Sequence, residues 1–315
     1  MVRFECDYAA GAHPKVLQAL VDTNLEEHPG YGTDPHCDRA RALLRDLCQA
    51  PDAHIHFLVG GTQANTTVIS AALRPHQGVI CAQTGHINVH ESGAVEATGH
   101  KVLTIPSQDG TCRTYKKAGS EVCTAHYIRE CVLDEIVLED IRRVADQYHL
   151  TLFVDGARLV YGLAASDVTL PDLARLCDVF YLGGTKAGTL FGEAVVITQD
   201  SLKQDFRYLI KRHGGLLAKG RLLGVQFEAL LEDGLYLDIG RRAVVQAMRL
   251  RQGFLDKGWP LLANSPTNLQ FPVLPDHAAA ALSQRYSFSL HSKPDPTHTA
   301  VRFCVSWSTR DEDID

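Results

Sequence analysis

No apolar run in this 315-residue chain approaches the roughly 18 residues that a membrane-spanning helix needs. The amino terminus, MVRFECDYAAGAHP, carries no apolar core of the kind a secretory signal has. The chain therefore reads as cytoplasmic and without a membrane partner. It also lacks a surplus of positive charge: 31 lysines and arginines against 37 aspartates and glutamates leave a net charge of -6. That balance provides no basic face for a phosphate backbone and argues against nucleic acid as a partner. The nine cysteines are odd in number, scattered, and never spaced CxxC, so neither a disulfide framework nor a metal site is indicated, and they read as small buried hydrophobes. Nothing repeats and no segment is of low complexity, which excludes a solenoid or a disordered tail.

What is present is an ordinary soluble composition, 45% hydrophobic and 22% charged, in a chain long enough for one large domain and a smaller companion. Three short apolar runs end in glycine: IHFLVGG (55–61), TLFVDG (151–156) and DVFYLGG (178–184). Continuous apolar runs of this length are expected of strands covered on both faces. Helical patterns such as LEDIRRVADQYHL and LPDLARLCDVF lie between them, and strand-helix alternation predicts an α/β class with a mainly parallel sheet and right-handed crossovers. GVICAQ, KVLTIP and EAVVIT add further strands, about six in all. LLEDGLYLDIG interrupts the pattern. We therefore divide the chain into a large domain with an N-terminal arm over 1–235 and a small C-terminal α+β domain over 236–315.

Ligands of open parallel sheets bind at the carboxyl ends of strands, and each glycine-ended strand delivers unusual residues there. The first delivers GGTQANTT, in which bare backbone at Gly61, the Thr62 hydroxyl and a helix amino terminus suit a phosphate. Taken alone, the turn reads slightly better as an ordinary N-cap. The second strand delivers Asp155, whose carboxylate is costly at the rim of an apolar strand unless a cation meets it, a pyridinium nitrogen for example. An N-cap explains it equally well. The third delivers Lys186, 31 residues on (186 − 155), which leaves room for one helix and a return strand. Both residues then stand at one edge of the sheet. Small neighbours would let a flat ring lie against the backbone, and desolvation would favour a nucleophilic amine. A solvated loop lysine is the commoner use, and only the combination with Asp155 and the glycine turn outweighs it. Phosphate cradle, acid and lysine are the three anchors of pyridoxal 5'-phosphate. TGHINVHESGA adds His86, suited to ring stacking and acid-base work, with His90 as a competitor.

These segments resemble the pyridoxal phosphate-dependent low-specificity threonine aldolases of the beta-eliminating lyase group, which have the aspartate-aminotransferase fold. The likeness runs from CDYAAGAHPKVLQAL and HPGYGTD through GGTQAN, GHINVHESGAVEATGHKV, VDGARL, GGTKAG and LLAKGRLLGVQF to SPTN and VRFCVSW. It implies that Lys186 forms the covalent link to the cofactor aldehyde, with Thr185 beside it, and that Asp155 pairs with the ring nitrogen. Gly61 and Thr62 would hold the phosphate and His86 would stack on the ring. Arg158 and Arg302 would clamp the substrate carboxylate, Lys219 or Arg221 would approach the phosphate from a neighbouring subunit, and Tyr31 would line the substrate pocket. The implied reaction is retro-aldol cleavage of threonine or allo-threonine to glycine and acetaldehyde, in a homodimer or homotetramer with its site at the subunit boundary. The same anchors also serve other β-eliminating lyases, transaminases, and a pseudoenzyme that keeps the cofactor residues.

The family normally has a longer stretch between KVLTIPSQDG and LEDIRRVADQYHL, with a helix, a strand and an acidic turn beside the cofactor. Here the interval is short, and the expectation is that a central strand is missing, is improvised from CVLDEIV, or is replaced compactly by AHYIRECVLDEIV. The chain also stops at STRDEDID, at the point where the resemblance leads one to expect a closing helix of the small domain.

Overall fold

The computed structural model describes residues 1–106, 125–127 and 135–315. Its centre is a sheet of seven strands: β1 (His54–Leu58), β2 (Gly78–Ala82), β3 (Lys101–Ile105), β4 (Ala125–Tyr127), β5 (Thr151–Val154), β6 (Val179–Gly183) and β7 (Glu193–Ile197). Their spatial order is β1-β7-β6-β5-β4-β2-β3. Neighbours are parallel from β6 through β5, β4 and β2 to β3. The sheet is mainly parallel, as the alternation predicts, with β7 running antiparallel to both β6 and β1. Only nine residues separate β6 from β7, too few for a crossover helix, so the chain must double back.

The runs are apolar throughout because both faces are covered. On one face Leu152, Val154, Phe180, Leu182, Ala194 and Val196 join the larger core. The alternate residues Phe153, Val179, Tyr181, Val195 and Ile197 join a second core with the helix α2 below. Flanking helices are α1 (Pro35–Leu47), α2 (Gly61–Ala72), α3 (Glu135–Gln147), α4 (Leu159–Ala164), α5 (Leu170–Leu176), α6 (Arg221–Leu231) and α7 (Leu235–Asp256). α6 and α7 meet at a kink where Asp233 and Gly234 have φ of 55° and 73°, which is the interruption seen in LLEDGLYLDIG.

The replacement for the central strand is β4, whose three residues open AHYIRECVLDEIV and pair in parallel with β2 and β5. CVLDEIV is not that strand: its first four residues lie outside the described ones, and from Glu135 the chain is already α3. After α7 come β8 (Leu269–Gln270), β9 (Val273–Pro275), β10 (Ser289–Asp295) and β11 (His298–Cys304). β11 is the hub, antiparallel to the other three. STRDEDID ends in a short helix, Asp311–Ile314. Among the described residues no helix is long and apolar enough to cross a membrane.

Candidate active site

A cavity of about 670 Å³ opens where β1, β5 and β6 end, lined by Gly61, Thr62, His86, Asp155, Arg158, Thr185, Lys186 and Arg302 among others. Asp155 and Lys186 arrive on adjacent strands, since β5 pairs with β6. Lys186 lies inside a tight turn in which Ala187 N and Thr189 N both donate to the Gly184 carbonyl. The buried Tyr161 hydroxyl donates to the Lys186 carbonyl at 2.7 Å, anchoring the turn from α4. Among the described residues the amine has no hydrogen-bond or ion-pair partner, and it is surrounded by other charges. Burial and the Arg158 guanidinium lower its pKa, against the pull of Asp7, Asp155 and Glu193. The lysine is thereby moved toward a neutral, nucleophilic amine.

Asp155 does not cap a helix. α4 has Arg158 at its cap position without a side-chain bond, and Asp155 Oδ1 instead accepts from Ala157 N at 2.9 Å and from the Tyr181 hydroxyl. Oδ2 accepts from Asn65 Nδ2 at 3.1 Å. These three donors fix the orientation of the carboxylate at the edge of the cavity. Thr185 is tied to the protein frame: its hydroxyl donates to Glu193 at 2.9 Å and accepts from Gly192 N at 3.1 Å. Burial pushes the Glu193 carboxyl up to about 8, with Thr185 and Lys186 working against the shift.

The glycines around the lysine have a different purpose from the one expected. A Cβ on Gly183 would meet the Ala157 carbonyl oxygen at 2.5 Å, and one on Gly184 the Gly192 carbonyl oxygen at 2.8 Å. They are bare because protein backbone, rather than a ligand ring, comes close. Gly60 is the opposite case, with nothing within 4 Å of its absent Cβ. It stands at the cap of α2 without any side-chain capping bond, so the partial positive charge of that helix end faces the cavity uncompensated.

Arg158 lines the cavity and is held by a carboxylate of the same chain. Its Nε and Nη2 are already engaged by Asp7 at 2.7 and 3.0 Å, and Asn268 Nδ2 adds a third donor to that carboxylate at 3.1 Å. Burial raises the Asp7 pKa, but Arg158, Lys186 and the hydrogen bonds outweigh it and the group ends below its usual value. Arg302, on β11, is different: Nη2 donates to the Glu5 carbonyl at 3.1 Å, Nε is buried without a partner among the described residues, and no carboxylate pairs with it there. Tyr31 and Lys219 do not line this cavity within one chain. Tyr31 N donates to the Ala218 carbonyl at 3.2 Å and its ring lies beneath the Lys211 amine, which groups it with the exposed Lys219 on another surface. Arg221 holds the Thr23 and Asn24 carbonyls at 3.0 and 3.1 Å.

Sequence reasoning missed Asp7, Asn65, Glu91, Tyr181 and Glu193. Glu91 and Glu193 had a signal, a carboxylate just after the histidine pair and another opening the apolar run EAVVIT. Asn65 had none beyond its place in GGTQAN.

The residues fit pyridoxal phosphate: among the described residues they offer an amine without a partner, a carboxylate oriented by three donors, an uncapped helix end beside open space, and a buried guanidinium nitrogen without a partner. Comparison with known proteins agrees. The beta-eliminating lyase profile matches residues 4–274. A low specificity L-threonine aldolase of Pseudomonas sp. (strain NCIMB 10558) is 29% identical over 335 residues, covering 98% of this chain and 94% of that protein. The solved structure of Leishmania major threonine aldolase superimposes with a TM-score of 0.95 at 40% identity, covering 100% of this chain and 96% of that one. Sphingomonas wittichii serine palmitoyltransferase shares the fold at a TM-score of 0.71 and 15% identity, over 99% of this chain and 84% of its own. The fold is that of the pyridoxal phosphate-dependent enzymes related to aspartate aminotransferase, and the chain belongs to the beta-eliminating lyase family.

Proposed function

We propose that this protein is a pyridoxal phosphate-dependent aldolase that cleaves threonine and allo-threonine to glycine and acetaldehyde. The observation that carries the reading is the convergence of Lys186 and Asp155, from adjacent strands, on one cavity. The cofactor, when bound, supplies an electron-accepting ring for the pair released from the Cα–Cβ bond. Lys186 would anchor it, Asp155 would hold the proton on its ring nitrogen, and the amino end of α2 with Gly61 and Thr62 would bind its phosphate. Thr185 supports this through its bond to Glu193.

Arg302 would bind the substrate carboxylate, since its Nε is a buried donor at the cavity without a partner among the described residues, while Arg158 holds Asp7 and shapes the wall beside it. Fixing the carboxylate orients the bond to be broken. His86 would take the proton of the β-hydroxyl. The glycine carbon gains one proton as the hydroxyl loses one, so the reaction consumes no net acid.

Supplying threonine or allo-threonine to the cofactor-loaded protein should release acetaldehyde and glycine in equal amounts. Release of a keto acid instead would overturn the assignment. We further propose a homodimer or homotetramer in which Tyr31 and Lys219 face the cavity of a neighbouring subunit, because within one chain they lie outside it. Cys6, Cys37, Cys48, Cys177 and Cys304 form no disulfide among the described residues, which suits a reducing cytoplasm.

A further inference from the structure

His86 opens a short helix, His86–Val89, that follows β2, and Glu91 comes five residues after it. The Glu91 side chain is buried. Its Oε1 lies 2.8 Å from His86 Nδ1 and 2.7 Å from Asn65 Nδ2. Asn65 Nδ2 in turn reaches Asp155 Oδ2 at 3.1 Å. One amide thus spans two carboxylates, one facing the imidazole and the other at the end of β5. The second oxygen of Glu91 is buried and unpartnered among the described residues, so this carboxylate is committed to the imidazole and the amide.

We propose that Glu91 is a positioning residue that fixes His86 in the tautomer with hydrogen on Nδ1, leaving the Nε2 lone pair to act as the base. The inference rests on the aldolase reading above. An ionised carboxylate has only lone pairs to offer, so the hydrogen between the two groups belongs to the imidazole. When the β-hydroxyl O–H bond breaks and an Nε2–H bond forms, the ring becomes a cation, and Glu91 stabilises it without itself taking a proton. The proton leaves Nε2 for the glycine carbon and the tautomer is restored. His90 is the rival base: its ring lies 5.3 Å from that of His86 and lines the same cavity, but the Glu91 carboxylate is directed at His86. Among the described residues, the titratable and charged groups near the imidazole include Glu91 and His90 on its own segment, Asp155 beyond Asn65, and Lys186, Arg158, Glu193, Arg302 and Tyr8 in the cavity wall.

The test uses two readouts on Glu91→Gln, with Glu91→Asp as the conservative variant in case the first fails to fold. In the cofactor-free protein, nitrogen-15 NMR should find His86 carrying its hydrogen on Nδ1 in the wild type and a mixture of tautomers in Glu91→Gln. In the holoenzyme, kcat/KM for threonine should fall about 10- to 100-fold. The acidic limb of its pH profile should move down by about one unit, because a negative charge that favours the protonated base is gone. Glu91→Asp should recover part of both. His90→Gln should leave the limb in place. An Nε2–H tautomer in the wild type, an unmoved limb in Glu91→Gln, or a limb that follows His90 would each overturn the inference. A wild type that does not cleave threonine would instead sink the aldolase reading, and the NMR measurement would still decide the role of Glu91.

Discussion

Glu193 is fully buried at the start of β7, where it accepts from the Thr185 hydroxyl and from Gly184 N. Burial keeps its proton on up to about 8 in the folded chain, against an ordinary value of 4.5. Between those values the folded state holds more protons than the unfolded one, so this contribution to stability is complete below 4.5 and is lost as pH rises through about 8. Lys186, whose folded pKa burial lowers, gives the opposite slope above that lowered value. Denaturant titrations of the cofactor-free protein should therefore show the wild type losing ground to Glu193→Gln from 4.5 to about 8, by on the order of a few kcal/mol. Parallel stability curves would remove the proposed proton from Glu193. Lys186 and Asp155 were legible in the sequence because each follows an apolar strand whose end must face the ligand edge. Asn65 and Asp7 were not, since each matters through a partner that the fold brings from 90 or 151 positions away.

At the scale of elements, the join between β5 and β6 allows no side chain at position 156. A Cβ there would lie 1.6 Å from the Tyr181 carbonyl oxygen, which only displacement of β6 could relieve. Gly156→Ala should cost more than about 4 kcal/mol in chemical denaturation. Gly60→Ala should leave stability within about 1 kcal/mol, since its methyl meets nothing within 4 Å, yet weaken pyridoxal phosphate binding about tenfold by occupying the space at the helix end. Equal effects of the two substitutions on stability would contradict this division. Six of the seven strands were readable from continuous apolar runs. The seventh, β4, has three residues, too few for any periodicity to register. The reversal of β7 was hidden for a related reason: direction is set by the length of the connection, not by the apolar pattern of the strand.

For the whole molecule, Tyr31 and Lys219 lie outside the cavity of their own chain, and the proposed assembly gives them a place in a neighbour's site. Lys186→Ala and Lys219→Ala should each be inactive or nearly so alone. Mixed under conditions of subunit exchange, they should recover about a quarter of wild-type activity, because mixed dimers form about half of the population and each carries one intact site of two. Failure to recover, with exchange verified, would return Lys219 to a surface role. The account as a whole depends on Lys186 being the residue that holds the cofactor. Loading the protein with pyridoxal phosphate, reducing it with borohydride and mapping the peptides should locate the cofactor mass on Lys186 alone. The mass on a different lysine, or on none, would contradict the central claim.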